Sequence, residues 1–165
     1  MESLSGRKPV GGVRRVLLYG AEEVTGWTLG EAGCTALRLR PGAEALEPPL
    51  AEERSDYAEE IRTDTFPPTV RHRLRLVMSG WQGRALAGGD FLRRAATGGF
   101  VAVIEAVNGA RFVAGRSARL GGEQPLRLEK IDLKSGSRRM EPPESVLSLV
   151  CTDDAPAPDY NPVNS

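Results

Sequence analysis

Apolar and polar positions alternate most cleanly between Thr69 and Met78, TVRHRLRLVM. Val70, His72, Leu74 and Leu76 fall on one side, and Arg71, Arg73 and Arg75 on the other. A period of two predicts a half-buried β-strand. Arg15 to Tyr19 predicts a short strand stopped by Gly20, and Thr35 to Arg40 alternates up to a turn at Pro41-Gly42. Pro125 to Leu133 alternates and then slips, which permits a bulge. It is followed by a Ser135-Gly136-Ser137 turn and a last strand, Val146 to Cys151.

Phe100 to Gly115, FVAVIEAVNGARFVAG, reads as two apolar strands joined by Asn108-Gly109. Asn-Gly favours a two-residue type I′ turn, which would set Val107 opposite Ala110, Glu105 opposite Phe112 and Val103 opposite Ala114. That register leaves Phe100, Ala102, Ile104, Ala106 and Val113 on the other face. Both faces are then largely apolar, whereas a hairpin with one wet face alternates. Either its own domain covers both faces, the ordinary arrangement of a sandwich core, or one face awaits a partner subunit.

Asp90 to Thr97, bracketed by Gly88-Gly89 and Gly98-Gly99, predicts one short α-helix. Asp90 would stand near its N-terminus, Gly98 would be its stop, and Phe91, Leu92 and Ala95 would form a packing stripe. Residues 20–34 read as a glycine-rich connection. Residues 43–64 hold eight acids against Arg54 and Arg62 and read as an exposed acidic loop or arm, with an acidic contact for a basic partner as the functional alternative. Residues 1–12 read as a flexible arm. The tail, 155–165, carries Pro156, Pro158 and Pro162, so it is neither an ordinary helix nor a central strand. The expectation is one mainly-β domain over 13–154, a β-sandwich or barrel of about seven strands with one short α-helix.

Composition narrows the function classes. The 22 basic and 22 acidic residues cancel, so no global field draws in nucleic acid or an anionic membrane. Aromatics at 5% argue against a base-stacking platform. No signal-peptide pattern and no apolar run of spanning length is present, so a soluble product made in the cytoplasm is expected, with no membrane partner. Cys34 and Cys151 share no ligand spacing and read as small buried hydrophobes. His72 is the single histidine and lies on an apolar face, where a hydrogen-bonded core residue is the ordinary reading. No phosphate loop, dinucleotide fingerprint or nucleophile elbow occurs, and the histidine and cysteine counts exclude common zinc sites. A two-carboxylate hydrolase is left open as the less favoured alternative. No enzyme activity, cofactor or metal is expected. Arg71, Arg73 and Arg75, roughly 7 Å apart per step, read as a solvated face with cross-strand carboxylates. The same ladder facing a neighbour, or a polyanion in a nucleic-acid-binding β module, is the alternative.

From about residue 70 onward, the order is an alternating strand, the FVAVIEAVNGARFVAG hairpin, a charged strand, a Ser-Gly turn and SLVCTDDAPAPDY. This order resembles small β-rich virion and tail-associated structural proteins of Bacteroidetes phages and prophages. Phe100, Val101, Val103, Asn108, Gly109, Val113, Gly115, Gly136, Leu149, Cys151, Pro156 and Tyr160 carry the resemblance. The acidic 43–64 segment and the arginine ladder fall outside it. The resemblance implies a tail-tube-like fold and a non-enzymatic virion subunit, made in the cytoplasm of a bacterial host. It also implies a homo-oligomeric ring or tube with other virion proteins as partners, touching nucleic acid only if the assembly encloses it. Sheet edges, the long hairpin and terminal arms would supply the contacts. The expected assembly residues are Val101, Val103, Glu105, Asn108, Gly109, Phe112, Arg71, Arg73, Arg75 and Tyr160.

Overall fold

A computed structural model describes residues 12–51, 54–79, 82–87, 89–119, 121–134 and 143–162. The expected Ser135-Gly136-Ser137 turn, and all of the N-terminal arm except Gly12, lie outside these residues. The fold is mainly β, with three antiparallel sheets. The strands are β1 (Val13–Gly20), β2 (Val24–Gly30), β3 (Gly33–Leu39), β4 (Asp56–Arg62), β5 (Thr69–Ser79), β6 (Phe100–Ala106), β7 (Arg111–Ala114), β8 (Arg127–Lys134) and β9 (Glu144–Asp153). Two short helices, α1 (Gln82–Ala87) and α2 (Phe91–Thr97), separate β5 from β6.

The sheets stack in a sandwich-like order set by which faces are apolar. The four-stranded sheet β4-β5-β9-β8 packs on the three-stranded sheet β1-β6-β7. The main core between them includes Leu74, Leu76, Leu147 and Leu149 from one side, and Val16, Leu18, Phe100 and Ile104 from the other. On its far side, the three-stranded sheet meets the β2-β3 hairpin through a second core of Val24, Cys34, Val101, Val103 and Val113. The middle sheet is therefore covered on both faces, which is why β6 reads as a continuous apolar run rather than an alternation. The second face of the hairpin is closed by the protein's own β2-β3 unit and C-terminal segment, as in an ordinary sandwich core.

The hairpin register differs from the two-residue expectation by one position. Ala102 pairs with Ala114, Val103 with Val113, Ile104 with Phe112 and Glu105 with Arg111. The Ala106 N–H donates to the Ala110 carbonyl at 2.8 Å, and the Gly109 N–H donates to the Ala106 carbonyl at 2.9 Å. Val107, Asn108 and Gly109 thus form a three-residue loop with Gly109 at φ +92°. This is the turn-plus-bulge solution, in which only the last loop position needs a left-handed conformation. Asn108 Oδ1 accepts from the Ala110 N–H at 3.0 Å. A slip of one residue turns every β7 side chain over. Phe112 therefore enters the main core, stacked on Tyr57 at 5.6 Å between ring centroids, and Val113 enters the second core.

Two strands replace expected loops. β2 pairs with β3 despite its glycines, and β4 runs through the acidic segment to pair with β5. The slip in β8 is a bulge between Leu128 and Lys130. It lets Leu128 and Ile131 both reach the main core although they are three positions apart. In α2, Phe91 and Ala95 are buried, while Leu92 is 42% exposed and leaves the expected stripe. Asp90 makes no side-chain cap and pairs with Arg93 instead. The left-handed residue of the stop is Gly99 at φ +72°, one position beyond Gly98.

Candidate functional site

A dense buried polar grouping lies where β4, β5 and the C-terminal segment meet. The β4–β5 register sets Glu59 opposite His72, and Tyr57 shares Glu59's face two residues earlier. The Tyr57 hydroxyl donates to Glu59 Oε2 at 2.6 Å and lies 2.7 Å from His72 Nδ1. A carbonyl oxygen only accepts, so the 3.0 Å contact between His72 Nε2 and the Ala155 carbonyl places a hydrogen on Nε2. The Ala157 N–H donates to Glu59 Oε2 at 2.8 Å. The side chains of His72 and Glu59 are 3% and 1% exposed, so these contacts form out of water. Glu59 Oε1 has no hydrogen-bond partner among the described residues.

Burial, followed by the charge of Glu59, raises the pKa of Tyr57, so its hydroxyl keeps its hydrogen. Cys151 stands opposite His72 on β9, and burial pushes its thiol up to about 12. Both ring nitrogens of His72 are committed within the chain, in keeping with a hydrogen-bonded core histidine. What the grouping does chemically is grip a main chain: it offers a donor to the Ala155 carbonyl and an acceptor to the Ala157 N–H.

The rest of that segment is held in the same manner. The Val113 N–H donates to the Pro158 carbonyl at 3.0 Å, and the Tyr160 N–H to the Arg111 carbonyl at 2.8 Å. On the other side, the Cys34 N–H donates to the Asp159 carbonyl at 2.7 Å, and the Asn161 N–H to the Cys34 carbonyl at 2.8 Å. Residues 155–162 thus form a strap across the edges of β7 and β3. The proline spacing is compatible with this because the strap bridges two edges and does not run as a central strand.

The expected assembly residues separate into three groups. Val101 and Val103 lie in the second core and Phe112 in the main core, so all three are interior and unavailable to a neighbour in this conformation. Asn108 and Gly109 are exposed at the hairpin tip, while Glu105 is half-buried and paired with Arg14. Tyr160 is half-buried on the strap, with the Arg111 guanidinium 5.7 Å from its ring centroid.

Arg71, Arg73 and Arg75 form the third group, on the outer face of the four-stranded sheet. Arg71 pairs with Glu129 at 2.9 Å, Arg73 approaches the same carboxylate at 3.8 Å, and Arg75 lies 3.5 Å from Asp56. These are exposed pairs, worth about 0–1 kcal/mol each. They make the ladder a charge-matched sheet face. Ala58, beside the longer Glu60, Arg71 and Arg73, leaves a depression of about 380 Å³ there.

A smaller polar cluster ends β9. The Ser117 hydroxyl and the Asp154 N–H both donate to Asp153 Oδ1 at 2.7 Å, and Arg119 lies 3.2 Å from Asp154. Burial raises the pKa of Asp153, whereas the hydrogen bond with Asp153, followed by Arg119, lowers that of Asp154. A carboxyl whose pKa is raised on folding contributes its full stability below its unfolded pKa, about 3.9, and loses it as pH rises through the folded value. Asp153→Asn keeps an oxygen for both donors and removes the charge. It should raise the thermal midpoint at pH 7, with the gain vanishing below about pH 4. Paired melting curves at the two pH values measure this.

Tyr57 and Glu59 escaped the sequence reading because acidic density masked a strand. The signal was there in Asp56, Ala58 and Glu60, spaced by two like Arg71, Arg73 and Arg75 and facing them in the register. No family model, curated protein or solved structure matches the chain.

Proposed function

We propose that this chain is a non-enzymatic structural subunit of a phage or prophage virion, one that joins copies of itself head to tail through the four-stranded sheet. The observation that carries this reading is that both edges of that sheet are open and partly apolar. No strand among the described residues pairs along the outer side of β4 or β8; single bridges, Val13 to Ser55 and Phe100 to Leu126, reach only the residue before each strand. On β4 the core-facing Ile61 is left 37% exposed, and on β8 Leu133 is left 38% exposed. Unpaired edges of seven and eight residues are templates for strand addition.

The topology favours a repeating contact. Each neighbouring pair in β4-β5-β9-β8 is antiparallel, and the strand number is even. β8 of one copy therefore runs opposite to β4 of the next, and the alternation continues across the junction. Asp56 and Glu60 on β4 lie on the same sheet face as Arg127 and Lys130 on β8, so one directly opposed and one diagonal opposite-charge pair can form across the junction, and such pairs are stabilising. A head-to-tail contact of this kind closes into a ring or extends into a tube. The resemblance of the hairpin and final strand to small β-rich virion proteins supports the same reading, in which other virion structural proteins would be the partners. Nucleic acid would be touched only if enclosed.

Electron microscopy of the concentrated protein tests the proposal. Rings or tubes are expected, and Arg127→Glu/Lys130→Glu, which sets acid against acid at the junction, should disperse them. Monomers at every concentration and salt, or a closed two-fold dimer indifferent to that double substitution, would overturn it.

A further inference from the structure

We infer that residues 155–162 form a strap that opens as a unit while the sandwich stays folded, with Tyr57, Glu59 and His72 as the lock that holds it shut. The inference is independent of the head-to-tail contact. The strap buries little apolar surface of its own. Ala157 is its one fully buried residue, Tyr160 is half-buried, and Pro156, Asp159 and Asn161 are exposed. The rest of the main core comes from the sheets, the two helices and adjoining segments, so Ala157 is the one buried core residue that the strap supplies. Segments with few apolar contacts and mostly hydrogen-bonded attachment are the ones that open locally.

The attachment is divided in two. At one end, the lock grips the Ala155 carbonyl and the Ala157 N–H with side chains that are nearly fully buried. At the other, the strap lies between the edges of β7 and β3. The chain bends at Asp154 and Ala155, between the end of β9 and the first locked residue, which places the hinge there. Opening strips the Val113 and Cys34 N–H groups of their partners and uncovers two strand edges that the closed form hides.

Cys34 reports the state directly, because it is 0% exposed in the closed form and its main chain is bonded to Asp159 and Asn161 on the strap. Alkylation of Cys34 in the full chain, mapped by mass spectrometry across low denaturant, should proceed at a rate nearly independent of denaturant. Hydrogen exchange at Leu74 and Leu149 in the core should instead follow global unfolding. Ala157→Pro removes the N–H that Glu59 grips and should speed Cys34 alkylation at least tenfold with the core amides still protected. Gly33→Ala should do the same from the other end, since its Cβ would lie 2.4 Å from the Asp159 carbonyl. If Cys34 alkylation in the unsubstituted chain carries the same denaturant dependence as the core amides, the strap does not open by itself and the inference is wrong. That comparison decides the matter even if a variant fails to fold.

Discussion

Replacing His72 with leucine is expected to lower the unfolding free energy by about 3–5 kcal/mol. The imidazole is 3% exposed and serves two partners at once, the Tyr57 hydroxyl and the Ala155 carbonyl. Leucine fills similar space but donates nothing and accepts nothing. The Ala155 carbonyl loses its donor, and the Glu59 carboxylate, already short of a partner at Oε1, loses the group opposite it. A buried polar group left without its partner carries its desolvation cost in full, which is why removal costs more than the contact is worth. Glu59→Gln keeps an oxygen for the Ala157 N–H and should cost only about 1 kcal/mol. Equilibrium urea unfolding of the two variants measures the difference. Equal losses would mean that packing, not hydrogen bonding, sets the value of this grouping.

Gly115→Ala should be nearly as damaging, at about 3–4 kcal/mol. Gly115 follows β7 with φ +96°, a conformation that alanine resists, and a Cβ there would lie 2.4 Å from the Phe100 carbonyl oxygen. That oxygen accepts from the Leu126 N–H at 2.9 Å, while the Phe100 N–H donates to the Leu126 carbonyl at 2.8 Å. The displaced atom thus belongs to the bridge that ties β6 to the start of β8, and both Phe100 and Leu126 are fully buried. Gly42→Ala is the matching control. Its φ is +82° but nothing lies within 4 Å of the added carbon, so about 1–2 kcal/mol of backbone strain is all it should show. Similar midpoints for the two variants would remove the steric part of the argument.

The strands that alternate, or that are apolar throughout, were legible in the sequence. β5 announces itself through Val70, His72, Leu74 and Leu76, and the β8 bulge through the slip after Leu128. β2 was hidden because Gly26, Gly30 and Gly33 look like a loop, yet Gly26 leaves room for the Arg38 guanidinium to lie across the hairpin. β4 was hidden because its alternation is one of charge and burial, with Glu59 turned inward among apolar neighbours. The hairpin between β6 and β7 was visible, but its register was not. Asn108-Gly109 serves a two-residue or a three-residue loop equally well, and only the covering of both faces decides which side Phe112 must take. The grip on the strap was illegible for a further reason: it joins Glu59 to Ala157 and His72 to Ala155, and it reads main-chain atoms that carry no sequence signal.

Whether β4 and β8 pair between copies is measured most directly by amide hydrogen exchange at increasing protein concentration. The outward-facing amides of Asp56–Arg62 and Arg127–Lys134 should gain protection together as particles form, while those of the covered β9 stay unchanged. Exchange at both edges that is the same in dilute and concentrated protein would contradict the head-to-tail assembly.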